Sequence, residues 1–244
     1  MDDAEAIRMN ATVPTISIAG LIIGFVPVLI VIGIMIRWRA EPFTAVYATV
    51  RMLVQLLVIG YVLIYLFESD HFVIIIPILA IMLLVASWIA IRPLPVKQSR
   101  AYFVALTAIS FSSIPILFLV TQFVIELESW FSPRYIIPLA GMIIAGAMNT
   151  VSLAAERYEA ESSRRIVATE ARRVAFHAAL IPTINSLFAV GLVSLPGIMT
   201  GQILSGVSPL IATKYQIVVM TMLFGASGIS AALYLVLQPQ ATQN

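Results

Sequence analysis

The chain has 244 residues, 61% of them hydrophobic and 11% charged, with a mean hydropathy of +1.02 and a formal net charge of +2. Soluble domains are about a quarter charged, so this composition places the chain in a membrane. The absence of cysteine excludes disulfides, thiolate metal sites and thiol catalysis, and no basic tract points to nucleic acid.

The chain opens with MDDAEAIRMN, three acids against Arg8 and no basic start before the first apolar run, so the first helix is expected to be retained rather than cleaved as a signal. A hydrocarbon layer about 30 Å thick takes about 20 apolar residues per helix. Seven such segments follow in order, at 13–36, 43–67, 72–91, 101–125, 135–155, 178–203 and 213–237. They are too long and unbroken for barrel strands, and every backbone group in lipid needs an internal partner. The predicted fold is therefore all-α, a polytopic membrane helical bundle of about seven transmembrane helices in a single domain over 1–244.

Orientation follows from lysine and arginine in the short loops. An outside N-terminus puts Arg37, Arg39, Arg51, Arg92, Lys97, Arg100, Arg157, Arg164, Arg165, Arg172 and Arg173 inside, and leaves Arg8, Arg134 and Lys214 outside. Most of the acidic residues outside the 155–177 stretch fall on the other side, which predicts N-out and C-in. Arg51 and Gln55, four apart near the cytoplasmic end of the second helix, share a face from which the guanidinium can snorkel to the interface.

Six prolines, Pro27, Pro77, Pro115, Pro138, Pro182 and Pro196, fall in or beside the apolar segments and predict bent helices. Small-residue runs at 20–24, 197–201 and 225–232 predict close helix contacts. Asn149 and Thr150, with Asn185 and Ser186, are the polar groups expected at depth in the bilayer, facing other helices or a hydrated cavity. The cytoplasmic stretch AERYEAESSRRIVATEARRVAFH, 155–177, mixes both charge signs and is predicted to be a helical hairpin, with Glu161 and Arg165 four apart on one face.

Enzymatic readings meet obstacles in the residues. GASG at 225–228 matches the G-x-S-G motif of rhomboid-type intramembrane proteases, which would make Ser227 a nucleophile, but no histidine follows it to act as base. The carboxylates Glu156, Glu159 and Glu161 are interleaved with arginines, and no phosphate-cradling G-x-x-x-x-G-K-[ST] is present. Any energy source must come from another protein or an ion gradient.

The run ALIPTINSLFAVGLVSLPGIMTGQILSGVSPLIATKYQIVVM, 179–220, resembles the most characteristic segment of the Fet-type ABC transporter permeases, a bacterial family linked to iron export with plant aluminium-sensitivity proteins among its relatives. VRMLVQLLVIGYVLIYLF at 50–67 and IPLAGMIIAGAM at 137–148 are similar to that family's second and fifth helices. The cytoplasmic segment lacks the Leu-Gly-Ala turn the family carries there.

The resemblance implies a multi-pass permease subunit in the bacterial inner membrane that partners a separate cytosolic ABC ATPase, the source of ATP hydrolysis, with a homodimer of the permease completing the transporter. It implies export of a metal such as iron, with no cofactor in this chain. The residues identify no metal: without a His, Cys, Asp or Glu at depth, only oxygen donors such as Asn149 and Asn185 or methionine sulfur remain as ligands, which fits equally a substrate that is not a bare ion. The expected substrate pathway is Asn149, Thr150, Asn185 and Ser186; the expected gate is Pro196, Gly197 and Gly201; and the expected ATPase-coupling surface is Glu159, Arg164, Arg165, Glu170, Arg172 and Arg173. A non-transporting membrane scaffold or sensor is the alternative from another class.

Overall fold

A computed structural model describes residues 16–68, 72–95, 99–127, 132–164 and 166–238. Among these residues the secondary structure is helical apart from an isolated bridge between Val190 and Ser194, so the chain is an all-helical polytopic membrane protein. Five helical stretches are long and apolar enough to cross a membrane: Ile18–Trp38, Pro42–Leu63, Ser99–Val124, Pro133–Ser163 and Pro209–Leu237, with Ile75–Ala90 as a shorter apolar helix. The chain divides into two compact units, one ending at Ser69 and the other beginning at Asp70.

The first unit contains α1 (Ile18–Ile23), α2 (Val26–Trp38) and α3 (Pro42–Glu68). The Ser17 side chain caps α1 by accepting from the Gly20 amide at 3.1 Å. Pro27 in the first turn of α2 lacks an N–H, which costs nothing at a helix start, and it follows the interruption at Gly24 and Phe25. The α2 to α3 reversal is tight. Arg39 adopts φ 56°, the Ala40 amide donates to the Met35 carbonyl at 2.8 Å and the Arg39 amide to Ile36 at 3.2 Å, a left-handed cap normally given to glycine.

The second unit contains α4 (Phe72–Ala90), α5 (Ser99–Leu119) continuing into a π-helical turn at Val120–Val124, α6 (Pro133–Ser163), α7 (Ala168–Ala189), α8 (Gly197–Leu204) and α9 (Pro209–Leu237). Its centre is α6. Ile136, Leu139, Ala140, Ile143, Ala147, Thr150, Val151, Ala154, Tyr158 and Glu161 recur every three or four residues and are all buried, one continuous stripe of a helix with a period of about 3.6 residues. Along the same helix Ala145, Asn149, Leu153 and Glu156 form the exposed face.

Two packing clusters show how α9 lies on α6. Leu139 and Ile143 pack with Val219 and Met222, and a Cβ added at Gly146 would meet Leu223 Cδ2 at 3.2 Å and Ser227 Oγ at 3.4 Å. Tyr158 and Tyr234 then share one cavity wall. Contacts advance in the same direction along both helices, so α6 and α9 run parallel. In lipid there is little hydrophobic drive between helices, and close approach at small residues supplies the contact instead. The same device seats α7, whose Ala171, Ala175 and Ala179 are spaced by four and at most 1% exposed.

One break differs from the sequence reading in position. The sixth apolar segment, 178–203, is expected to break near Pro196, but α7 already ends at Ala189 and the chain turns through 190–196 before α8. Gly191 at φ +86° makes the turn possible, and its amide donates to the Ser194 carbonyl at 3.0 Å. In the 155–177 stretch both arms are helical as predicted; α6 ends at Ser163 and α7 begins at Ala168, with neither glycine nor proline in the sequence between them.

Replacement of Gly146 by Leu is expected to force apart α6 and α9 at a cost of about 1–3 kcal/mol, read as a lowered unfolding midpoint of the detergent-solubilised protein. Gly228→Ala, where a Cβ meets nothing within 4 Å, should leave the midpoint unchanged.

Candidate functional site

The 31 residues of α6 span about 46 Å at 1.5 Å per residue, about 16 Å more than the hydrocarbon layer. The excess is the charged C-terminal part, which with the start of α7 forms the hairpin. At this end the structure places most of the residues expected to couple to a partner, and it gives them different tasks.

Glu161 is 3% exposed. Arg157 Nη2 lies 2.5 Å from its Oε1 and Arg164 Nη1 lies 3.6 Å from the same oxygen, so one buried carboxylate holds two arginines beside the reversal. The i, i+4 partner expected from the sequence, Arg165, lies outside the described residues. A buried carboxylate without its counter-ions would be strongly destabilising, so the pairing ties the end of α6 to the residue that starts the turn.

Arg172 faces inward from α7. Its Nε donates to the Leu235 carbonyl at 3.0 Å and its Nη2 to the Gln238 carbonyl at 3.2 Å. These are among the last carbonyls of α9, which have no partner within the helix, and a cation there also complements the helix dipole. Arg172 thus fastens α7 to the end of α9. Its neighbour Arg173 is exposed and binds Glu170 through two hydrogen bonds, Nε to Oε2 at 2.9 Å and Nη2 to Oε1 at 2.6 Å. That side-chain hydrogen bonding holds the Glu170 carboxyl below its ordinary range, and raises Arg173 in return. Glu159 is exposed on α6, on the wall of a cavity that also carries Tyr158 and Tyr234.

The expected pathway residues do not share one environment. Thr150 is 3% exposed and its hydroxyl donates to the Gly146 carbonyl at 2.9 Å, one turn back on its own helix. Asn149, about 100° further round α6, is on the exposed face. Asn185 and Ser186 are exposed on α7, with the Ser186 hydroxyl donating to the Pro182 carbonyl at 3.0 Å. Both asparagine amides therefore lie on open faces of the second unit, and both hydroxyls are occupied by their own backbones.

Of the expected gate residues, Pro196 is the N-cap of α8, Gly197 its first residue and Gly201 lies within it. A Cβ at Gly197 or Gly201 would meet nothing within 4 Å. The turn before them exposes Leu192 at 92% and Val193 at 83%, while Ile198 of α8 packs on the cluster holding Val219 and Met222. Gly191, which the sequence reading passed over, is the residue whose backbone the turn needs. A glycine five residues before a proline, in AVGLVSLPG, is the signal that could have located it.

Ser227 is 1% exposed and packed where α9 crosses Gly146. His177 is exposed on α7. The GASG run is accounted for as the contact surface of α9 rather than as a nucleophile. Arg51 of the first unit lies nine residues past Pro42, about 14 Å into its helix, deeper than an interfacial position near the helix start. Among the described residues no group of three or more His, Cys, Asp or Glu is arranged to hold a metal ion.

The model of a family described as an uncharacterised protein family, UPF0014, matches residues 16–241. Among individual proteins, the chain is similar to UPF0014 membrane protein slr1647 of Synechocystis sp., 36% identical over 203 residues that cover 76% of this chain and 78% of the relative. It is 34% identical over 203 residues to UPF0014 membrane protein STAR2 of Oryza sativa subsp. japonica, covering 77% and 70%. It is also 34% identical over 198 residues to the probable iron export permease protein FetB of Escherichia coli, covering 74% of each. No solved structure matches.

Arg172→Ala is expected to strip the charged donor from two carbonyls of α9 and to cost about 1–3 kcal/mol, seen as a lower unfolding midpoint. Arg173→Ala removes only a solvent-exposed pair and should leave the midpoint where it is.

Proposed function

The chain belongs to the UPF0014 family of membrane proteins, and on that premise we propose that it is the permease subunit of an ABC transporter, driven by a separate cytosolic ATPase and exporting a metal such as iron. The relative named as a probable iron export permease supports the transport reading and the substrate class. The observation in the fold that carries it is α6: one uninterrupted helix from Pro133 to Ser163 that runs through the core of the second unit and continues into the charged hairpin.

A force on the hairpin would act on that core directly. Glu161 with its two arginines stiffens the reversal, and Arg172 links α7 to the end of α9. Movement at Glu159, Arg164, Arg165, Glu170, Arg172 or Arg173 would be delivered to α6, α7 and α9 together, as rigid-element shear. At the far end of α7 the 190–196 turn and α8 form the element able to move separately, with Pro196, Gly197 and Gly201 as the gate. Irregular backbone at membrane depth is tolerated where it is covered by protein or lines a hydrated cavity.

The open faces carrying Asn149 and Asn185 suit a pathway completed by a second copy of the permease, with amide oxygens as hard donors along it. In this account the N-terminus lies outside, the hairpin and the C-terminus inside, and the membrane is the bacterial inner membrane.

Inverted vesicles containing the chain with an ABC ATPase subunit from the same genome are expected to accumulate iron in an ATP-dependent manner. The double variant Asn149→Leu with Asn185→Leu should abolish that accumulation while the complex still assembles. Flux equal to vesicles lacking the chain, with the complex assembled, would favour a scaffold or sensor instead.

A further inference from the structure

At the hairpin end of the second unit is a cavity of about 140 Å³. Its polar wall consists of Tyr158 and Glu159 from α6 with Tyr234 and Gln238 from the end of α9. Tyr234 and Gln238, four apart in sequence, share this wall with Glu159. The remaining wall is apolar, with Leu94 and Pro95 facing Ala155.

Of the residues that line this cavity, Glu159 is the one that carries a charge. Arg157 and Arg164 are drawn to Glu161, Arg173 to Glu170, and Arg172 to the carbonyls of Leu235 and Gln238. Among the described residues Glu159 takes part in no ion pair of this kind, although it is the carboxylate on the cavity wall. The Gln238 side-chain amide on the same wall adds an acceptor, while the last carbonyls of α9 are already taken by Arg172. The site is thus built for a positive group that donates hydrogen bonds.

Shape narrows the choice. A bare metal ion takes ligands on several sides, whereas here one wall is hydrocarbon. A charged head on an apolar stem satisfies both walls at once, and that is the form of a lysine or arginine side chain. A volume of about 140 Å³ admits one such side chain and no nucleotide or lipid.

We propose that this cavity is a docking socket for a lysine or arginine side chain of the cytosolic ATPase, received by Glu159 between Tyr158 and Tyr234. The inference rests on the permease reading above and adds to it the point of engagement and its chemistry. The hairpin would then be held on the ATPase by its own surface and by a cation inserted beside it, at the junction of α6 and α9. A pull on that cation would move both helices as one.

The test uses the purified full chain in detergent and the ATPase subunit from the same genome, with binding measured at low and high salt. Glu159→Lys should weaken binding at least about tenfold and Glu159→Gln less, both with the unfolding midpoint unchanged, and the salt dependence should shrink. Among single Lys→Glu and Arg→Glu substitutions on the ATPase, one should restore binding to the Glu159→Lys chain. Unaltered affinity in Glu159→Lys, or rescue by none of the ATPase variants, overturns the socket while leaving the permease reading standing. If the unmodified chain and ATPase do not bind at all, the permease reading falls and the socket with it.

Discussion

The approach of α9 to α6 at Gly146 is the contact on which the second unit is built. A single methyl added there would lie 3.2 Å from Leu223 Cδ2 and 3.4 Å from Ser227 Oγ, so the residue without a side chain lets the two helices meet this closely. Small residues extend the effect along both helices, with Ala147, Val151 and Ala154 on one and Ala226, Ser227 and Ser230 on the other, all buried. In a bilayer this is the available route to a tight interface, since lipid tails compete equally for larger apolar groups. α4, α5 and α7 then close around that pair, and α7 does so through its own alanine stripe.

The parallel pair is closely packed along its length, and its hairpin end is where the chain places much of its charge. Glu161 spends a buried carboxylate on two arginines at the reversal, and Arg172 closes the last turn of α9. These groups resemble one another in the sequence, yet they divide into braces, which face inward, and exposed groups such as Glu170 and Arg173. The opposite end is built in the reverse sense. The turn at 190–196 projects exposed Leu192 and Val193 and returns through α8, which packs on the core through Ile198.

Much of this architecture is legible in the residues. The apolar runs mark the membrane helices, and the 3.6-residue recurrence of α6 is plain from Ile136 to Val151. The small residues at 225–232 correctly mark a packing surface, with Gly225, Ala226 and Ser227 at the α9 contacts. Other features are hidden for identifiable reasons. Pro196 is the stronger local breaker, so it draws attention from Gly191, whose positive φ is the real requirement of the turn. The connection between Ser163 and Ala168 has no glycine or proline in its sequence to announce it. Burial of Glu161 cannot be read from a helix end rich in charge, because only the tertiary contacts of α6 decide which carboxylate faces inward. Asn149 and Thr150 are neighbours in sequence but lie on opposite sides of the burial boundary, a distinction that composition cannot make.

If the hairpin transmits ATP-driven movement to α6, its end must change position with the nucleotide state. The chain has no cysteine, so Ser163→Cys, exposed at the end of α6, gives one spin label per copy. The measurement is the label-to-label distance in the assembled transporter, first without nucleotide and then with ATP and vanadate. The account predicts two distinct distance distributions for the two states. The same distribution in both, in a complex shown to hydrolyse ATP, would contradict it.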